Sequence, residues 1–290
     1  MRNKPKNLQL MEILHSRMPF NSQQEKIFTD AKKGFDGECA ADNQMDAFLD
    51  NCIIINDLCL QANRFCQIDK LIIAPSTIYL LEIKNYGGTF IYDNKQFFNR
   101  KMEERDNPFL QLERTEQQLR MFTKTFDLPL YSRILTMNAA FQLHGSTVEM
   151  PLIPYGQLES FVRFVANDRR SLTSSHYELA RYLRESHQTQ NRYEQLMPFD
   201  FPELKQGVFC SKCEAEMSLV SRRSFLCEAC GSLITKRQVV QKSLEELRIL
   251  GISQRAGGRL IREWTGNQMN LRGIERSLQF LNKNDHSNLL

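Results

Sequence analysis

Gln67-Ile68-Asp69-Lys70-Leu71-Ile72-Ile73-Ala74-Pro75-Ser76-Thr77-Ile78-Tyr79-Leu80-Leu81-Glu82-Ile83-Lys84-Asn85 places two apolar runs on either side of Pro75-Ser76. Runs of β-branched and aromatic residues bounded by a turn pair predict an antiparallel hairpin. A hairpin centred on Pro75-Ser76 sets Asp69 opposite Glu82, and side-chain alternation puts Lys84 on the same face as Glu82. Carboxylates placed opposite one another repel, and strands otherwise this apolar gain no stability from the pair. A divalent cation resolves the repulsion. Mg²⁺ takes oxygen ligands, commonly one or two carboxylates, and keeps positions for water and a substrate phosphate. Lys84 is then placed to hold an attacking water or to neutralise charge developing on the phosphate. The alternative is an Asp/Glu/Lys network on a solvated sheet face, and a shift of register would part Asp69 from Glu82.

Outward from the hairpin, Cys52 to Gln61 predicts a preceding strand, and Gly37 to Asp50 a helix with an apolar stripe through Ala40, Met45, Phe48 and Leu49. Residues 5 to 33 read as a helical lead-in broken near Pro19-Phe20-Asn21-Ser22. Beyond the hairpin, Gly87-Gly88 precedes a short strand, Thr89 to Tyr92. Asn107-Pro108 supplies a cap and first turn for a helix toward Phe126. Tyr131 to Phe141 reads as a strand, and Tyr155 to Ala166 and Ser175 to Glu185 as helices. This order predicts an α/β fold, an α+β sandwich.

Several motifs occur together and in order: Gly34-Phe35-Asp36-Gly37-Glu38, Gln67-Ile68-Asp69, Glu82-Ile83-Lys84-Asn85 with Gly87-Gly88, and Asn107-Pro108-Phe109-Leu110-Gln111. Over roughly residues 34 to 130 the chain resembles the nuclease-related domain (NERD) family. That family is similar to the PD-(D/E)XK restriction-endonuclease-like superfamily, whose members use metal ions to cleave nucleic-acid phosphodiesters. The resemblance implies a core of helix, mixed β-sheet and helix. It also implies metal roles for Asp69 and Glu82, a catalytic role for Lys84, and supporting roles for Glu38 and Gln111. Ile68 stands where the superfamily name has proline, which carries no chemistry. A tryptophan expected after the glycine pair is replaced around Phe97-Phe98.

Eight cysteines form two sets. Cys39, Cys52, Cys59 and Cys66 lie among apolar neighbours and read as buried free thiols. Cys210, Cys213, Cys227 and Cys230 form two C-x2-C knuckles thirteen residues apart. In a chain placed in the cytoplasm this spacing predicts one structural Zn²⁺ in a ribbon whose hairpin turns near Ser221-Arg222-Arg223-Ser224. An iron site of the rubredoxin kind has the same spacing logic. Val239 to Leu250, Ser253 to Trp264 and Asn270 to Leu281 read as three short helices, possible as a helix-turn-helix-like unit with a core around Trp264.

With 290 residues, 41% hydrophobic and 25% charged, the chain reads as a globular protein of about two domains. No apolar run approaches the roughly 18 residues of a membrane span, and no signal-peptide core follows the start. The expected organisation is a lead-in (1–33), a nuclease-like domain (34–168), a helical linker (169–205), a zinc ribbon (206–236) and a helical module (237–290). The formal charge is +4, and positions 203–290 hold 14 Lys and Arg against 9 Asp and Glu. Basic excess in the tail fits phosphate binding through Arg222, Arg223, Arg255, Arg259 and Arg262, or equally a protein-docking or dimer module.

These readings predict a Mg²⁺- or Mn²⁺-dependent nuclease, a phosphodiester hydrolase, with DNA expected ahead of RNA. The alternative is a non-catalytic nucleic-acid-binding or adaptor protein that keeps the nuclease core as scaffold. The expected partner is nucleic acid and not a membrane. A protein partner or second copy at the C-terminal helices is the further option.

Overall fold

The computed structural model describes residues 2–145, 147, 149–188, 197–252 and 257–287, the last of these without side chains beyond position 281. The chain falls into two units, Met1–Asn3 with Asp30–Glu194, and Lys4–Thr29 with Gln195–Leu290.

The first unit is built on the hairpin. Strands β1 (Ile53–Gln61), β2 (Phe65–Ala74) and β3 (Thr77–Lys84) form an antiparallel meander. β7 (Leu130–Thr136) joins β3 in parallel, and β9 (Leu152–Ile153) joins β7, giving the order β1-β2-β3-β7-β9. The turn falls at Pro75-Ser76, and the register pairs Ala74 with Thr77 through Lys70 with Leu81. Every β3 residue except Lys84 is buried, as expected for a central strand covered on both faces.

Helices cover those faces. On one, Ile78 and Leu80 meet Leu112 and Leu119 of α3 (Pro108–Thr123) and Leu179 and Leu183 of α5 (Ser174–Glu185). On the other, Leu81 and Ile83 meet Ala41 and Met45 of α2 (Ser22–Met45) and Val162 and Val165 of α4 (Leu158–Ala166). The result is a mixed α/β sandwich, as the sequence predicts. Asn107 caps α3 by accepting from the Phe109 and Leu110 amides, with Pro108 in the first turn.

A second sheet, ordered β6-β5-β4-β8, comprises β4 (Gly88–Asp93), β5 (Gln96–Asn99), β6 (Glu104–Arg105) and β8 (Phe141–His144). The single strand expected from Tyr131 to Phe141 is therefore two strands in different sheets. The break has a local cause: Asn138 Oδ1 accepts from the Ala140 amide at 2.9 Å and its carbonyl from Phe141 at 3.0 Å, closing a turn. Phe97, where a tryptophan was expected, is 1% exposed and stacks on Phe90 with ring centroids 5.0 Å apart.

The second unit contains α1 (Lys6–His15), a three-stranded sheet of β10 (Ser218–Leu219), β11 (Ser224–Leu226) and β12 (Leu233–Thr235), and helices α6 (Lys236–Ile249), α7 (Gly258–Trp264) and α8 (Leu271–Ser287). Trp264, Ile261 and Ile274 are buried as expected. The Arg17 guanidinium lies 3.6 Å from the Trp264 ring centroid and pairs with Glu246 at 2.8 Å, while the Trp264 indole donates to the same carboxylate oxygen at 2.7 Å. No described helix is long and apolar enough to cross a membrane.

Candidate active site

Asp69 occupies a break in the sheet. The β1–β2 ladder passes from Asn56↔Lys70 to Leu58↔Ile68, skipping Asp57 and Asp69, and Asp57 has a left-handed φ of 56°. On the other side, the β2–β3 ladder ends at Lys70↔Leu81. Beyond it the Asp69 carboxylate enters the strand interface and accepts the Ile83 amide at 2.7 Å. A side chain thus replaces the next backbone partner, which satisfies Ile83 and anchors Asp69 beside Glu82.

Glu82 and Lys84 point toward α3. Lys84 Nζ lies 2.8 Å from Glu82 Oε1, and Gln111 in the first turn of α3 donates to that same oxygen at 2.5 Å. Gln111 Oε1 accepts from Lys84 at 2.9 Å, closing a three-membered network. Glu82 Oε2 is buried and has no hydrogen-bond partner. Burying an unpaired carboxylate oxygen is costly, and this atom could receive a cation.

Electrostatics follow from that crowding. Burial, then the Glu82 and Glu38 charges, hold the Asp69 carboxyl well above the ordinary carboxylate range. Burial also raises Glu38, with Arg2 working against it. Burial, the largest single influence, acts to lower Lys84, but Glu82, Tyr86 and Asp69 together outweigh it and the ammonium is held above its usual value. Lys84 therefore stays a charged hydrogen-bond donor at neutral pH.

Glu38 lies on α2 and is held by Arg2 at 2.8 Å. Among the described residues Glu38, Asp69 and Glu82 do not close into a three-carboxylate cluster. α2 reaches this position through Gly37, where a Cβ would lie 2.6 Å from Asn85 Cβ. Asn85 in turn donates to the Lys33 carbonyl at 2.9 Å, so the glycine and asparagine of the motifs meet as one helix-to-strand contact.

Four further residues complete the surroundings and were not singled out from sequence. Arg2 binds Asp42 and also donates to the Asp69 carbonyl at 2.7 Å. Lys70, fully buried, pairs with Asp42 at 2.8 Å and Asp46 at 2.7 Å. The available signal was the spacing Glu38, Asp42, Asp46, which puts three carboxylates on one helix face. Arg2 had no such signal, because only folding brings it to α2.

The four ribbon thiols do converge. Their sulfurs lie within 4.8 Å of one another, with Cys210 to Cys230 at 3.6 Å and Cys213 to Cys227 at 3.4 Å. A tetrahedron of Zn–S bonds near 2.3 Å has sulfur–sulfur edges of about 3.8 Å. The knuckles repeat: Glu214 donates to the Cys210 carbonyl and Gly231 to that of Cys227, both with left-handed φ. Burial would raise the Cys210 thiol, yet hydrogen bonds from the Lys212 and Cys213 amides and from the Cys230 and Cys213 thiols together outweigh it and draw it down to about 6. This cluster could hold a structural metal such as zinc. Arg222 and Arg223 lie exposed at the hairpin tip, and Arg259 and Arg262 lie exposed on α7. Arg255 lies outside the described residues.

No curated protein and no solved structure matches the chain. Residues 33–137, which span α2 from Lys33 through the hairpin, α3 and β7, match the family model described as nuclease-related domain. The chain thus carries a nuclease-related (NERD) domain around the Asp69–Glu82–Lys84 site, followed by a four-cysteine module.

Proposed function

We propose that the protein is a metal-dependent nuclease that hydrolyses nucleic-acid phosphodiester bonds, with DNA as the first substrate to test. The observation that carries this reading is Glu82 Oε2, an orphaned buried carboxylate oxygen beside the raised Asp69 carboxyl. Oxygen donors of this kind suit Mg²⁺ or Mn²⁺. Asp69 and Glu82 would hold the ion, which when bound supplies Lewis acidity toward the phosphate and lowers the pKa of water.

The chain's own groups account for the rest. Lys84, held protonated by Glu82, stabilises negative charge growing on the phosphate as water attacks phosphorus and the leaving oxygen departs. Gln111 fixes the orientation of both Glu82 and Lys84 from a helix first turn, so neither reorients during reaction. Glu38 acts on Asp69 through charge and is itself positioned by Arg2.

Purified protein incubated with single- and double-stranded DNA and RNA, in Mg²⁺ or Mn²⁺, tests the reading. Metal-dependent cleavage lost in Glu82→Gln supports it. Tight oligonucleotide binding without cleavage under every condition would instead identify a non-catalytic binding or adaptor protein.

A further inference from the structure

A groove of about 740 Å³ lies in the second unit between the ribbon tip and the start of α8. Arg222, Lys236, Arg272 and Arg276 line it, and no carboxylate does. None of these four cations makes an ion pair among the described residues. Arg222, Arg272 and Arg276 are exposed.

Their arrangement is fixed by the fold. The Lys236 amide donates to the Arg223 carbonyl at 2.9 Å, tying the tip of the β10–β11 hairpin to the start of α6. Arg237 lies over the Phe280 ring at 3.7 Å, joining α6 to α8. Arg272 and Arg276 stand four residues apart on one face of α8, where like charges repel in an isolated helix. Asn270 caps that helix by accepting the Gly273 amide at 2.8 Å. Among the described residues no carboxylate pairs with these cations, so their convergence gains nothing from ion pairing within the fold.

We propose that this groove binds the phosphodiester backbone of nucleic acid, as a site separate from the Asp69–Glu82 centre. Four unneutralised cations spread over a hairpin tip and two helices fit a chain of repeating phosphates better than one small anion. Backbone contacts of this sort position a strand without reading its sequence. The choice of nucleic acid as the polyanion rests on the nuclease reading above. Of the arginines expected from sequence, Arg222 lines the groove, Arg223, Arg259 and Arg262 do not, and Arg255 lies outside the described residues, while Arg272 and Arg276 are added.

The test compares full-length protein with R222Q/R272Q/R276Q and, as control, R259Q/R262Q. Binding of labelled single- and double-stranded oligonucleotides is measured against salt without added divalent cation, so no cleavage intervenes. Losing three phosphate contacts should reduce the slope of log affinity against log salt by about 2 to 3, while R222K/R272K/R276K and the α7 control keep the parent slope. If the triple glutamine variant loses its zinc or fails to fold, each single variant should remove about 0.7–0.9 of the slope. An unchanged slope in the groove variants, or an equal change in the α7 control, overturns the proposal. Because the readout is binding alone, absence of cleavage would contradict the nuclease reading and leave the groove result standing.

Discussion

At the scale of single residues, the site combines strain with order. Asp69 binds its proton more tightly in the folded protein than in the unfolded chain, because burial, Glu82 and Glu38 all disfavour its charge. The sign follows: this contribution to stability is fully present below the unfolded value of about 3.9 and is lost as pH rises through the raised folded value. Asp69→Asn should therefore raise the melting temperature of the metal-free protein at neutral pH and flatten its decline between acid and neutral pH. The same change should erase the gain that Mg²⁺ or Mn²⁺ gives the parent, a gain of about 2.7 kcal/mol at a hundred times Kd. A metal-dependent shift that survives in Asp69→Asn would contradict the ligand assignment. Lys84→Met should keep the metal-dependent shift and lose cleavage by about 10²–10³-fold, since it removes a positioned charge and no ligand. Arg2→Ala leaves Glu38 without its cation and Asp42 with Lys70 alone, and should destabilise the protein by about 3–5 kcal/mol, measurable by chemical denaturation.

At the scale of elements, the close contact of α2 with the end of β3 sets the site's width. Gly37→Ala must move Asn85 or the helix, because Asn85 Cβ stands 2.6 Å from where the new Cβ would sit. A cost of about 1–3 kcal/mol and reduced cleavage are expected, with the stability change read from denaturant midpoints. In the ribbon, replacing Cys213 by serine should release about one zinc per chain and unfold β10 to β12, as read by elemental analysis and near-ultraviolet circular dichroism. Much of this was legible in the sequence. The Pro75-Ser76 hairpin, its register, the Asn107 cap and the paired knuckles all depend on neighbours close along the chain, where turn chemistry and period act directly. The Asp69 displacement into the ladder was not legible, since strand alternation places its side chain on a face and says nothing of the Asp57 distortion across the sheet. The division of Tyr131–Phe141 was hidden for a similar reason: Asn138 ends one strand through its own side chain within an otherwise apolar run. Arg2 and Lys70 became part of the site only through contacts spanning 40 and 28 positions.

At the scale of the whole molecule, the two units carry different chemistry. One gathers carboxylates with a protonated lysine, and the other pairs a four-thiol cluster with an unneutralised basic groove. The net charge of +4 is modest, so its distribution decides what the chain attracts: the basic excess after position 202 matches the groove. Both features suit a protein that holds a nucleic-acid strand and cuts it. The most direct measurement is cleavage of labelled DNA by the purified full-length protein, in parallel with Glu82→Gln, across a titration of Mn²⁺ and Mg²⁺ after the zinc content of both has been shown equal. Cleavage that rises with divalent cation in the parent and stays at background in Glu82→Gln is the predicted result. Equal cleavage by the two proteins, or none by the parent on DNA or RNA at any metal concentration, would contradict it.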